Sequence, residues 1–227
     1  MSRLQVAIDG TAGAGKTTIG QMLAAQLECP YLDTGAMYRA VSLLALRTNT
    51  VLEDKDGLAR LAKAMDFSTR EATPAEAADG RQYTVMVDGE DVSQEVRSPE
   101  VEAIVSQVAA VPQVRSELVS KQREIAEQAG TIVMIGRDIG SVVLPDANLK
   151  IYLDASPEVR ASRRVRQSGQ LNAEQAKHGL EQRDRIDSQR TIAPLVIADD
   201  ALYINTDNLS QDEVLAQVKA ALAPLVD

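Results

Sequence analysis

The sequence predicts a three-layer α/β/α fold around a central parallel sheet, and three observations carry that expectation. Short apolar runs alternate with helical stretches from one end of the chain to the other. The run Thr131 to Ile135 is apolar and largely β-branched, the mark of a strand covered on both faces. Near the start, the apolar run Leu4 to Ile8 passes through a glycine-rich turn into a helical stretch, Lys16 to Leu27. With 44% hydrophobic residues in 227, the chain can bury a substantial core, and we read one domain carrying an insertion.

The glycine-rich turn, Gly10-Thr11-Ala12-Gly13-Ala14-Gly15-Lys16-Thr17, fits the GxxxxGK[ST] phosphate-loop pattern at every fixed position and stands between a strand and a helix. Glycines let backbone N–H groups wrap a polyphosphate closely, and the helix that follows points its positive end at the same phosphates. Lys16 is then placed to bridge the β and γ phosphates, Thr17 to hold the accompanying Mg²⁺, and Thr18 to make a further phosphate contact. A dinucleotide-binding reading fails, because Gly13-x-Gly15-x-x-Thr18 lacks the third glycine.

After the first helix, Pro30 to Leu32 is a short strand ending at Asp33-Thr34-Gly35, and Ala36 to Arg47 is a helix for which Thr34 is placed as N-cap. Thr34, Gly35 and Arg39 form an anion-binding candidate beside the helix start; capping alone explains Thr34 equally well. A helix is expected over Leu58 to Ala64. Strands at Asp66 to Arg70 and Gln82 to Val87, with an Asp88-Gly89 hairpin turn, mark a small antiparallel insert. Helices follow from Pro99 and from Pro112 to about Gln128, with Gly130 as the stop. Gly136-Arg137-Asp138-Ile139-Gly140 comes directly after the Thr131 to Ile135 strand, at the carboxyl end where parallel sheets bind ligands, although an Arg-Asp pair at a turn is also a common structural ion pair. The rest reads as a strand at Leu149 to Leu153, an arginine-rich helix from Pro157 broken at Gln167 to Gln170, a helix from Asn172 to Arg185, a strand at Ala201 to Ile204 and a helix from Ser210 to Leu222.

The formal net charge of −9 argues against a protein that coats nucleic acid. Between Arg160 and Arg190, however, eight Lys and Arg stand against four acids, either a site for a small anion or a solvated pair of helices. Cys29 and His178 are the only cysteine and histidine, which leaves no disulfide framework or Cys/His metal cluster. The absence of a leader-like start and of any run of 18 apolar residues leads us to expect a soluble, cytoplasmic protein with no membrane partner.

Several classes share the phosphate loop. A GTPase would need an Asn-Lys-x-Asp element, which is absent, and a transport ATPase a Leu-Ser-Gly-Gly-Gln-like signature, of which Arg166 to Gln170 is a superficial echo. A small-molecule kinase needs a second anionic pocket and arginines, and the chain offers both. In Tyr31-Leu32-Asp33-Thr34-Gly35-Ala36-Met37-Tyr38-Arg39, in Arg97 to Val101, in Ser106 to Ala110, in Gly136 to Gly140 and in Arg183 to Pro194, the chain resembles the bacterial cytidylate kinases over nearly its whole length.

The resemblance implies a phosphate-loop kinase that uses Mg²⁺ and ATP to phosphorylate CMP and dCMP, most simply as a monomer. It divides the chain into a core (1–64, 99–159 and 176–227), a monophosphate-binding insert (65–98) and a lid (160–175). Thr34, Arg39, Arg137, Arg183, Asp187 and Arg190 would surround the sugar and phosphate of CMP, while Ser106, Arg115 and Asp138 would recognise the cytosine edge. Lys16 and Arg137, with Arg160, Arg163 and Arg164 of the lid, would neutralise the transferring phosphoryl group. The family pattern has an acidic residue before Gly-Arg-Asp, where this chain has Ile135. That departure leaves Asp33, through water, or Asp138 to help hold the cation, and leads us to expect faster turnover in Ile135→Asp.

Overall fold

The computed structural model describes residues 3–168 and 172–225. The chain divides into two compact units, Met1–Asp33 with Arg123–Asp227, and Thr34–Gln122. The first is built on a five-stranded parallel sheet of β1 (Gln5–Gly10), β2 (Tyr31–Asp33), β6 (Ile132–Ile135), β7 (Leu149–Asp154) and β8 (Leu202–Asn205), in the order β2-β6-β1-β7-β8. Strand β1 is central, with Ile8 level with Ile135 on one side and Ile151 on the other. Side chains alternate across the sheet. Val6, Ile8, Val133, Ile135, Ile151 and Leu153 join one apolar cluster with Ile19 and Leu23 of α1 (Lys16–Gln26) and Val214 and Val218 of α9 (Gln211–Leu222). The opposite face carries a turn of π-helix, Ile139–Val143, whose Val142 and Val143 carbonyls accept from Arg123 near the end of α6 (Pro112–Ala129). The expected three-layer order around a parallel sheet is therefore present. Completing this unit, α7 (Pro157–Ser168) and α8 (Ala173–Gln189) pack together through Ala161, Val165, Ala176 and Leu180, with Ala12 of the phosphate loop in the same cluster. The break expected at Gln167 to Gln170 lies in part outside the described residues.

The second unit holds α2 (Thr34–Arg47), α3 (Lys55–Ala64), α5 (Pro99–Ala109) and an antiparallel sheet of β3 (Phe67–Glu71), β4 (Tyr83–Val87) and β5 (Glu90–Asp91). Between β3 and β4 lies the four-residue α4 (Pro74–Ala77), closed by a capping box between Thr73 and Glu76. Asp88 (φ 51°) and Gly89 (φ 81°) are both left-handed, as the two-residue hairpin turn before β5 demands. The expected insert, 65–98, lies inside this larger unit. Helix α2 differs from the sequence reading in that Thr34 is its first residue, not its cap: β2 ends at Asp33 and the helix follows without a connecting residue.

Candidate active site

The phosphate loop joins β1 to α1, and its glycines are required for different reasons. Gly10 has φ 144°, and a Cβ there would stand 1.9 Å from the Leu153 carbonyl oxygen of the neighbouring strand. Gly15, at φ 101°, is the N-cap of α1 and makes no side-chain cap, so the helix presents its first N–H groups to whatever the loop encloses. Lys16 is 8% exposed and donates from Nζ to the Gly10 and Thr11 carbonyls at 2.7 Å each. Burial first, and then the Arg137 guanidinium, hold its pKa well below the usual lysine range.

The carboxyl end of β6 brings the Gly-Arg-Asp turn to this loop. Arg137 donates through Nη1 to the Gly10 carbonyl (3.0 Å) and through Nε to Asp187 of α8 (2.9 Å). Asp187 also lies 3.9 Å from Arg190, whose other terminal nitrogen stands 3.5 Å from Asp138. Arg137, Asp138, Asp187 and Arg190 thus form one network beside Gly10, with Asp138, Asp187 and the Arg190 side chain all buried. Arg183, one turn earlier on α8, is half-buried.

Of the three lid arginines, Arg160 and Arg163 are fixed at the base of α7. Arg160, 5% exposed, donates to the Ala12 and Ala155 carbonyls and pairs with Asp184, whose other oxygen accepts from the Ala12 N–H at 3.2 Å. The Ala12 peptide is therefore gripped on its N–H side and on its carbonyl side by two residues that also grip each other. Arg163 donates to the Thr206 hydroxyl (2.9 Å) and carbonyl (2.8 Å). Arg164 is half-buried on the same helix.

In the other unit, Thr34 is 3% exposed and Arg39 pairs with Glu102 at 3.3 Å. Arg115, 3% exposed, lies with its guanidinium 5.5 Å from the Tyr38 ring centre and donates to the Ala109 carbonyl. Ser106 is half-buried on α5.

A family model for cytidylate kinase matches residues 6–223. The chain belongs to the cytidylate kinase family. It is 46% identical over 222 residues to the cytidylate kinase of Exiguobacterium sibiricum, covering 96% of each chain. It is also 49% identical over 213 residues to a bifunctional pantoate ligase/cytidylate kinase of Synechococcus sp., covering 92% of this chain and 38% of that one. The chain therefore spans well under half the length of those bifunctional relatives. A gluconokinase from Sinorhizobium meliloti 1021 shares the fold, with a TM-score of 0.51 at 11% identity over 98% of this chain and 93% of that one.

Within this cytidylate kinase fold, sequence reasoning passed over three acids, two that support the loop and one that holds the turn after Gly-Arg-Asp. Asp184 holds Ala12 as described. Asp154, at the end of β7, accepts from the Thr11 hydroxyl at 2.9 Å. Asp9, 5% exposed inside β1, accepts from the Ile139 and Gly140 N–H groups at 2.8 and 2.7 Å. Burial pushes the Asp9 carboxyl up to about 6 against the pull of those two hydrogen bonds. Asp9 stands directly before the phosphate loop, which was its one visible signal.

Proposed function

We propose that the protein transfers the γ-phosphoryl group of ATP to CMP and dCMP. Supporting this reading is the coupling of Arg137 to both the phosphate loop and Asp187, in a chain of this family. The acceptor is a phosphate oxyanion, so no general base is needed. The task is to align two polyanions and to offset the charge on the group in transit. In this reading the loop N–H groups and Lys16 orient the triphosphate, and Arg137 serves the transferring phosphoryl group with Arg164 from α7. Arg160 and Arg163 act from the base of that helix. Arg183, Asp187, Arg190, Thr34 and Arg39 hold the sugar and phosphate of CMP, and Ser106, Arg115 and Asp138 read the cytosine edge. A buried cytosine group left unpaired would cost about 1–3 kcal/mol, which gives such a trio its discriminating power.

The Thr17 hydroxyl and, through water, the Asp33 carboxylate offer the hard oxygen donors that suit Mg²⁺. When bound with ATP, Mg²⁺ supplies charge neutralisation at the phosphates. Ile135, level with Asp33 across the sheet, is apolar and leaves the protein's share of that binding to Thr17 and Asp33. The functional division into core (1–64, 99–159 and 176–227), insert (65–98) and lid (160–175) belongs to this proposal, as do a monomeric state and a cytoplasmic location. None of the described helices is long and apolar enough to cross a membrane.

A coupled ADP-release assay with ATP and Mg²⁺, offering CMP, dCMP, UMP and AMP in turn, tests the reading. Turnover with CMP and dCMP alone is expected. ATP binding without transfer to any monophosphate would overturn it.

A further inference from the structure

The π-turn Ile139–Val143 opens immediately after Asp138, and an aspartate in that place ordinarily turns its carboxylate back to cap the first N–H groups of its own turn. Here Asp138 makes no such bond. The Ile139 and Gly140 N–H groups instead meet the two carboxylate oxygens of Asp9, at 2.8 and 2.7 Å, from the middle strand of the sheet. On its other side Gly140 has little room, since a Cβ on it would stand 3.1 Å from the Lys150 Cδ. The Asp138 carboxylate is 3.5 Å from the Arg190 guanidinium.

We propose that Asp9 is a positioning residue for the acceptor nucleotide: by capping the π-turn in place of Asp138, it keeps the Asp138 carboxylate turned toward Arg190, where it reads the acceptor base. The proposal rests on the CMP kinase reading given above. A carboxylate suits the task because two adjacent N–H donors need two equivalent acceptors. An asparagine of the same shape supplies one acceptor and sets an NH₂ against the second donor. With that donor released, Asp138 is the nearest cap available, and its carboxylate turns inward, away from Arg190. Asp9 itself touches no substrate in this scheme, and Lys16, Arg137 and the phosphate loop keep their places.

The test is Asp9→Asn, with Asp9→Ala beside it, read as separate KM values for CMP and ATP and as CMP binding by calorimetry. We expect the KM and Kd for CMP to rise about tenfold or more, the KM for ATP to stay within about twofold, and the preference for CMP over UMP to shrink. In an Asp138→Ala background the same Asp9→Asn change should leave CMP binding unaltered, because its intermediary is gone. Unchanged CMP binding in Asp9→Asn would overturn the proposal. Equal losses toward CMP and ATP would do the same, since they mark a general support for the fold; should Asp9→Ala fail to fold, the isosteric Asp9→Asn still decides. If the wild-type protein neither binds nor phosphorylates CMP, the CMP kinase reading falls and this proposal falls with it. Wild-type turnover of CMP with indifferent Asp9 variants refutes the positioning role alone.

Discussion

Charge is held differently around the phosphate loop and in the 34–122 unit. Around the phosphate loop, Asp9, Lys16, Asp138, Arg160 and Asp187 are buried, and they bond to backbone groups of the loop, of the turn after Gly-Arg-Asp and of Ala155, or to the side chains of Arg137, Asp184 and Arg190. In the 34–122 unit, the pairs Arg47–Glu90, Arg60–Asp54 and Arg70–Glu76 stand at the surface, and the buried Arg115 leans on an aromatic ring. Buried charges are costly to strand and so hold a geometry; exposed ones are screened and hold little. Substitutions should therefore matter most where they strand a buried charge, whether or not the residue touches nucleotide.

Breaking the buried network should have the largest effect. Asp187→Ala leaves Arg137 and Arg190 without their shared acceptor, and we expect a loss of about 4 kcal/mol in urea unfolding together with a collapse of phosphoryl transfer. A loss no larger than that of a surface pair would erase the distinction between the units. Next comes Ile135→Asp. Ile135 is 2% exposed, and its Cγ2 lies 2.7 Å from where a Cβ on Gly20 would be, so a carboxylate there enters an apolar layer. We expect about 3 kcal/mol of destabilisation. If turnover per folded molecule nonetheless rises, the added carboxylate serves the cation; no rise would dismiss that role.

The pH dependence sharpens the same contrast. Burial raises the Asp9 carboxyl from 3.8 to about 6, so the folded protein binds this proton more tightly than the unfolded chain. The stability that follows is fully present below pH 3.8 and is lost as pH rises through about 6. The stability of the wild type relative to Asp9→Asn should accordingly fall by up to about 3 kcal/mol between pH 4 and pH 7, as read from denaturant midpoints. A flat difference would show Asp9 to be ordinary. The smallest effect belongs to Arg70→Ala in the surface sheet, for which thermal unfolding should show no measurable change.

Much of this was legible because local rules suffice for it. The loop glycines, the Asp88-Gly89 turn and the apolar β6 each announce their conformation within a few residues. What the sequence concealed is long-range. Asp9 serves residues 130 and 131 positions away, and Asp184 serves one 172 positions away. In a string of letters Asp9 is one polar residue at the end of an apolar strand, and Asp184 one acid among arginines. Arg160 was read as a lid arginine that closes over the phosphates, while its attachment to Ala12 is a matter of tertiary packing that the letters do not show. The start of α2 was placed at Ala36, two residues late, because Thr34 fits a cap by composition, and only the direct passage from β2 makes it helical.

The grip on Ala12 also fixes where the α7–α8 hairpin can bend. Both legs are bolted at the base, α7 by Arg160 and Arg163 and α8 by Asp184 and Asp187, to the loop, to Thr206 and to Arg137. A hairpin anchored in this way cannot swing as a whole like a door, because the hinge would have to part the phosphate loop from its own braces. What freedom to bend the two helices keeps lies in their stretches beyond those anchors.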